Sequence, residues 1–122
     1  MIRFKRADRV GGQVKKELSD LLLKEIRDPR LDSVTIIRVS ITDDLRSARI
    51  YFSVAEGKER KLSALAGFKS AVGYLRRELS HRLELRYMPE LQFFYDESID
   101  QAAKLNEVLK TLHNGNQATD SK

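Results

Sequence analysis

The stretch of residues 61–91 most constrains what this chain can fold into, because its apolar residues recur at steps of three and four. These residues are Leu65, Phe68, Val72, Leu75, Leu79 and Leu83. Such spacing is typical of an amphipathic helix that packs one face against a larger hydrophobic surface. The sequence therefore predicts a core built against one side of this helical stretch.

Gly73 lies halfway along the same stretch and weakens its helical character. A glycine inside a helix costs about 1 kcal/mol relative to alanine and marks a point where the helix axis can bend. The apolar spacing nevertheless continues in phase through Gly73. Two interpretations stay open: one long helix with a kink near residues 71–73, or two helices that meet there and face the same core.

The composition indicates one soluble globular domain in a reducing compartment. The chain has 122 residues, of which 41% are hydrophobic and 34% are charged, and it has no cysteine. That length suffices for one hydrophobic core but not for two. The basic N-terminus lacks the apolar core of a signal peptide, and no later run could span a bilayer, so we expect a cytoplasmic protein. Residues 1–113 are predicted to form the domain, and residues 114–122 a disordered polar tail.

Positive charge is concentrated in two predicted helical segments. Residues 1–27 contain eight Lys or Arg against four acidic residues, and residues 61–90 contain six against three. Clustered cations of this kind favour a polyanionic partner such as nucleic acid. The alternative is a soluble basic domain whose charges only solvate its surface.

The first helical segment, from about residue 5 to residue 26, places its apolar and basic residues on opposite sides. Apolar residues recur at Val10, Val14 and Leu18, whereas the opposite side is rich in Arg and Lys. Gly11 and Gly12 are unfavourable inside such a helix. Either the helix begins later than the pattern indicates, or its backbone there approaches another part of the chain closely.

Three strands are predicted from alternating residues. Residues 34–42 and 47–55 are predicted to form an antiparallel hairpin around a turn at residues 43–46, and residues 91–96 follow a helical crossover and should lie parallel to the second strand. One face of the first strand carries Thr35, Ile37, Val39 and Ile41, and the other carries Ile36, Arg38 and Ser40. Asp43 and Asp44 are better explained as turn residues than as a metal or acid-base site.

A last helix is predicted to begin at Ser98, which forms a capping box with Gln101. Its inward-facing residues would be Ile99, Ala102, Leu105, Leu109 and Leu112.

The sequence contains little that could support catalysis. Neither of its two histidines, His81 and His113, has a nucleophile at a recognisable spacing. It also lacks a glycine loop with a phosphate-binding spacing. We therefore expect no enzyme, no cofactor and no metal site.

An RNA-binding surface fits the sequence better. Arginine and lysine neutralise phosphates and release counterions, and an exposed ring or guanidinium plane can stack on an unpaired base. The candidates are Arg3, Lys5, Arg6, Arg9, Lys16, Tyr74, Arg76, Arg77 and Arg86. Arg82 is also basic, but it lies at the edge of the apolar stripe, where a long side chain covers apolar surface.

With this order of elements, the chain resembles the ribosome-binding factor A family over nearly its whole length. The motifs that carry the resemblance are D-P-R-L at residues 28–31, D-L-x-x-A-x-I-Y at residues 44–51 and L-R-x-x-L-x-x-x-L-x-L-R-x-x-P-x-L-x-F at residues 75–93. Asp96 and Ser98 follow the last motif. Together these motifs are far more specific than any one of them.

The resemblance implies an α+β fold of the type II KH-like kind, in the order α-β-β-α-α-β with an additional C-terminal helix. In this family an interhelical A-x-G kink replaces the G-x-x-G loop with which KH domains approach the nucleic-acid backbone. Ala71, Val72 and Gly73 fit that position. The resemblance therefore adds Ala71 and Gly73 to the candidate site.

The resemblance also implies a function. The family binds immature 30S subunits and 16S rRNA, supports late maturation including processing of the precursor 5′ end, and is linked to growth in the cold. Its release is associated with a ribosome-dependent GTPase. We expect a monomer that binds no membrane. Two alternatives stay open: a general single-stranded RNA-binding KH-like module, and a protein-interaction adaptor that uses the acidic C-terminal region.

Overall fold

Two helices cover one face of a three-stranded sheet in the computed structural model, which describes residues 6–98 and 105–112. The elements are α1 (Arg6–Lys24), β1 (Val34–Ile41), β2 (Ser47–Val54), α2 (Lys61–Leu83) and β3 (Glu90–Tyr95). Short 3-10 helices span Pro29–Leu31 and Lys58–Arg60. Residues 105–112 are also helical. The predicted α+β class is confirmed.

The sheet has the strand order β1-β2-β3. Strands β1 and β2 are antiparallel, and β2 and β3 are parallel. The short turn after β1 allows the antiparallel pair, whereas α2 supplies the long crossover that a parallel pair requires. Both predicted pairings are therefore confirmed.

Strand β1 does not alternate regularly, which corrects the predicted assignment of its faces. Ile36 pairs with Phe52 and Arg38 pairs with Tyr51, so Ile37 is an extra residue in the ladder. Such a bulge exchanges the two faces of a strand. Before the bulge Ile36 is buried and Thr35 is exposed, so Ile36, and not Thr35, lies on the same face as the buried Ile41. Beyond it, the predicted pattern holds.

The hydrophobic core lies between the sheet and the two helices. Phe52 of β2 contacts Phe68 of α2 edge to face, with ring centroids 5.0 Å apart. Phe68 in turn stacks on Phe93 of β3 at a centroid distance of 4.1 Å. Leu18 and Leu21 of α1 are fully buried in the same cluster. Because the core occupies these apolar faces, binding surfaces must lie on the outer sides of the helices, the outer face of the sheet and the connections.

The glycine pair in α1 marks a close approach rather than a late helix start. The helix already includes Arg6. A Cβ atom at Gly11 would lie 2.9 Å from the backbone oxygen of Val39, whereas a Cβ at Gly12 would meet nothing within 4 Å. Gly11 therefore lets α1 pack directly on β1, and this decides between the two interpretations left open by the sequence.

Helix α2 is one continuous α-helix of 23 residues. The predicted order with two helices at this place is wrong, because the chain forms one helix there; the kink near residues 71–73 stays a prediction. The propensity cost of Gly73 is about 1 kcal/mol, and the burial of Leu75 and Leu79 just beyond it outweighs that cost. The helix ends at Glu84, whose left-handed backbone (φ 51°) terminates it.

The C-terminal helical residues do not face the core as predicted. Leu105, Leu109 and Leu112 are between 54% and 59% exposed. The apolar face of the sheet is already covered by α1 and α2, so it offers these leucines no place. The predicted Ile99, Ala102 and Gln101, and the tail at 114–122, lie outside the described residues. Within the described ranges, no helix has the length and apolarity to cross a membrane.

Candidate nucleic-acid interface

The outer side of α1 exposes a row of cations. Arg6, Arg9 and Lys16 are all exposed, while Val10 and Val14 on the opposite side are buried. The amphipathic pattern produces this separation, because one helix face must enter the core. The structure therefore places these three residues on the predicted surface. Arg3 and Lys5 lie outside the described residues.

The outer side of α2 carries the second predicted group. Gly73, Tyr74 and Arg77 are exposed, and a Cβ atom at Gly73 would meet nothing within 4 Å. The surface at Gly73 is thus backbone without a covering side chain. Ala71, by contrast, is half-buried and packs against the core. Arg76 is exposed but is held in place, since its guanidinium donates to the backbone oxygen of Met88 at 3.3 Å.

Three arginines converge on a cleft of about 650 Å³ at one end of the molecule. Arg6 comes from the start of α1, Arg46 from the hairpin turn and Arg86 from the segment after α2. The structure thus brings together two of the predicted residues, Arg6 and Arg86. Arg46 was missed, because a single arginine in a turn carries no sequence signal until the turn is placed beside the other two.

The carboxylate at this cleft is committed to the turn. Asp44 accepts hydrogen bonds from the Thr42 hydroxyl at 2.6 Å and from the backbone amide of Arg46 at 3.0 Å. These donors stabilise the charged form and hold the pKa of Asp44 below its usual value. The predicted turn role is therefore borne out by its contacts. No cluster of three or more metal-ligating side chains occurs within residues 6–98 and 105–112.

Tyr87 adds an aromatic ring to the wall of the cleft. Its side chain is 75% exposed, and the guanidinium carbon of Arg86 lies 5.6 Å from its ring centroid. A ring and a guanidinium side by side offer planar surfaces on which an unpaired base can stack. Tyr87 was not among the predicted site residues, although an aromatic residue directly after Arg86 is a signal that the sequence offers.

Arg82 joins the two helices instead of extending the basic surface. Its guanidinium donates to Glu17 at 3.0 Å and to Asp20 at 2.9 Å. Hydrogen bonds from Arg82, and then from Lys24, lower the pKa of Asp20. Arg82 is therefore engaged in fixing α2 against α1, a role that the sequence analysis did not predict.

The chain is similar in sequence to known proteins along most of its length. The sequence model of the family described as "Ribosome-binding factor A" matches residues 6–109. A ribosome-binding factor A from Syntrophobacter fumaroxidans is 44% identical over 114 residues, which cover 92% of this chain and 97% of that protein.

Two structures of ribosome-binding factor A share the fold, one determined by crystallography and one a fitted homology model. The crystal structure of ribosome-binding factor A from Thermus thermophilus has a TM-score of 0.64 at 25% identity and covers 73% of this chain and 94% of its own. A homology model of the Thermus thermophilus factor, fitted into a cryo-electron-microscopy map of a 30S–RbfA complex, has a TM-score of 0.60 at 25% identity. It covers 71% of this chain and 91% of its own.

Proposed function

Because this chain belongs to the ribosome-binding factor A family, we propose that it binds the immature 30S subunit through its 16S rRNA. The observation that supports this most is the sorting of cations onto the outer sides of α1 and α2 and around one cleft. The related Thermus thermophilus factor has been fitted into a map of a complex with the 30S subunit. Ribosome binding by this chain would use the same fold.

Phosphate contacts supply the affinity in this proposal. Each arginine or lysine that neutralises a phosphate releases condensed counterions, so binding weakens as the salt concentration rises. Arg6, Arg46 and Arg86 line one cleft, and a phosphate bound there would accept hydrogen bonds from more than one arginine. Arg9, Lys16 and Arg77 would contact neighbouring phosphates from the helix surfaces. Arg3 and Lys5 are proposed as further phosphate contacts.

Residues 71–73 would be the place where the RNA backbone comes closest to α2. The exposed backbone of Gly73, with open space where a side chain would be, supports this. Tyr74 lies beside it, and its ring could stack on a base. In this proposal the A-x-G element does the work of a KH loop in a type II KH-like domain, within a continuous helix.

The finer functional steps are also part of the proposal. By holding 16S rRNA in a maturing conformation, the protein would support late maturation, including processing of the precursor 5′ end, and would matter most for growth in the cold. It would act in the cytoplasm as a monomer without catalysis, and a ribosome-dependent GTPase would release it.

Sedimentation of a cell lysate through sucrose gradients at low and raised salt tests the proposal. We expect the protein in the 30S fraction at low salt and at the top of the gradient at high salt. Charge reversal at Arg9, Lys16 and Arg77 should abolish the low-salt comigration. Charge reversal at Lys58 and Arg60, exposed cations of a 3-10 helix outside this surface, is the matched control. Comigration with the 30S subunit that persists at high salt and in the Arg9, Lys16 and Arg77 variant would refute the proposal.

A protein-interaction adaptor is the second candidate function. The exposed Leu105, Val108, Leu109 and Leu112 favour it, because they fall at the spacing of a single helix face. A partner protein bound by this face would remain associated after ribonuclease treatment, whereas association through 16S rRNA would be lost. The third alternative, a general RNA-binding module, predicts equal affinity for short naked oligonucleotides and for 30S subunits.

A further inference from the structure

The outer face of the sheet, opposite α1 and α2, carries an ordered set of side chains that the proposed interface does not use. The strand register aligns them in rows across the three strands. One row contains Arg38, Tyr51 and Phe94, and the next contains Ser40, Arg49 and Gln92. The bulge in β1 creates the first row, since it turns Arg38 outward opposite Tyr51.

The first row is a continuous stack of planar groups. The guanidinium carbon of Arg38 lies 4.0 Å from the centroid of the Tyr51 ring. The Tyr51 and Phe94 rings are stacked, with centroids 5.5 Å apart and an interplanar angle of 28°. Because β2 is the central strand, Arg38 and Phe94 flank Tyr51 on opposite sides. Phe94 is thus the end of the stack on the β3 side, and it is 42% exposed.

Two arginines contribute positive charge beside the stack. Arg38 and Arg49 are exposed and diagonal to one another on neighbouring strands. The acidic residues of the face stand at the two ends of β3, as Glu90 and Asp96. The Asp96 carboxylate accepts the Ser98 amide at 2.9 Å, and the hydrogen bonds from Ser98, followed by the charge of Arg38, lower the pKa of Asp96. The guanidinium groups therefore complement phosphate, while the exposed ring complements a base.

We propose that the outer face of the sheet is a second RNA-binding surface, which takes unpaired RNA by stacking a base on Phe94. Arg38 and Arg49 would hold the adjoining phosphates, and Ser40 and Gln92 would offer hydrogen bonds to base edges. Stacking on an aromatic side chain is the general way in which proteins hold unpaired bases without reading sequence. The inference rests on the proposed function for the identity of RNA as the nucleic acid. It gives the protein contacts to RNA on two opposite faces.

The test uses the full chain and three fluorescently labelled octamers: oligouridine, oligoadenosine and an abasic octamer that keeps the phosphates. Phe94→Ala should weaken binding of the two base-bearing octamers by about five- to tenfold, the lower part of the range for loss of one stacking ring. Binding of the abasic octamer should be unchanged. Phe94→Tyr keeps a ring and should bind as the parent protein does, whereas Phe94→Leu, which keeps only apolar surface, should behave as Phe94→Ala.

Several results would overturn the inference. These are the absence of binding to base-bearing octamers by the parent protein, equal binding by Phe94→Leu and the parent, and equal losses for abasic and base-bearing octamers. Urea unfolding of each variant shows that the fold persists. The 30S gradient tests the main interface separately. Loss of 30S comigration in the Arg9, Lys16 and Arg77 variant supports that interface, whether or not the Phe94 variants change octamer binding.

Discussion

At the scale of single residues, Gly11 and Gly12 show how neighbours of one type can have opposite effects. We expect Gly11→Ala to lower the free energy of unfolding by about 1 kcal/mol or more, because an added methyl would overlap a backbone oxygen and overpacking outweighs the gain in helix propensity. Gly12→Ala should raise it by about 0.5–1 kcal/mol, since its Cβ enters open space. Urea unfolding measures both, and shifts of the same sign would contradict the close approach of α1 to β1.

Asp28 allows a second prediction at the residue scale, on pH. Its carboxylate accepts the Arg30 guanidinium at 2.7 Å and the Arg30 amide at 2.9 Å, and these bonds, the guanidinium first, lower its pKa from 3.8. A pKa that is lower in the folded state stabilises the protein above the unfolded pKa, and this stabilisation is lost as the pH falls through the folded pKa.

Asp28→Asn isolates that charge, because the amide oxygen can still accept from the Arg30 backbone. We expect the parent protein to be more stable than Asp28→Asn at about pH 6, and the difference to shrink as the pH falls below about 4. Urea midpoints along this pH series provide the measurement. A difference that stays constant or grows on acidification would show that the ion pair contributes nothing through its charge.

At the scale of elements, helix α2 contains a residue, Gly73, that lowers helix stability but lies on the surface that the proposed function needs. Gly73→Ala should raise the free energy of unfolding by about 0.5–1 kcal/mol, because the position is helical and open. If the RNA backbone approaches Gly73, the same substitution should weaken 30S binding although it stabilises the fold. Urea unfolding of Gly73→Ala measures the stability, and its comigration with 30S subunits in a gradient measures the binding. A more stable protein with undiminished 30S binding would refute the role of residue 73.

The same elements show what sequence periodicity can predict and where it stops. Alternation predicted β1 and its pairing, but not the extra residue Ile37, because a bulge depends on the register with the partner strand. The glycine propensity suggested a break in α2, which the burial of Leu75 and Leu79 overrides. The leucine spacing at residues 105–112 predicted an amphipathic helix but not whether a surface exists to cover it.

At the scale of the whole molecule, the candidate site joins parts that periodicity treats separately. The basic faces of α1 and α2 could be predicted, because each follows from the apolar stripe of its own helix. The cleft could not, since Arg6, Arg46 and Arg86 meet only through the packing of a helix start, a turn and a loop. Convergence of charges distant in sequence is a property of the tertiary fold.

This convergence leads to a quantitative prediction for the intact complex. If the three arginines contact three phosphates, replacing Arg6, Arg46 and Arg86 with alanine should flatten the slope of log affinity against log salt by about 2 to 3, at about 0.7–0.9 per contact. Alanine at Lys58 and Arg60 should leave the slope unchanged. Titration of 30S subunits with each protein at several salt concentrations gives the slopes. A triple variant with reduced affinity but an unaltered slope would mean that the three arginines support binding without contacting phosphate.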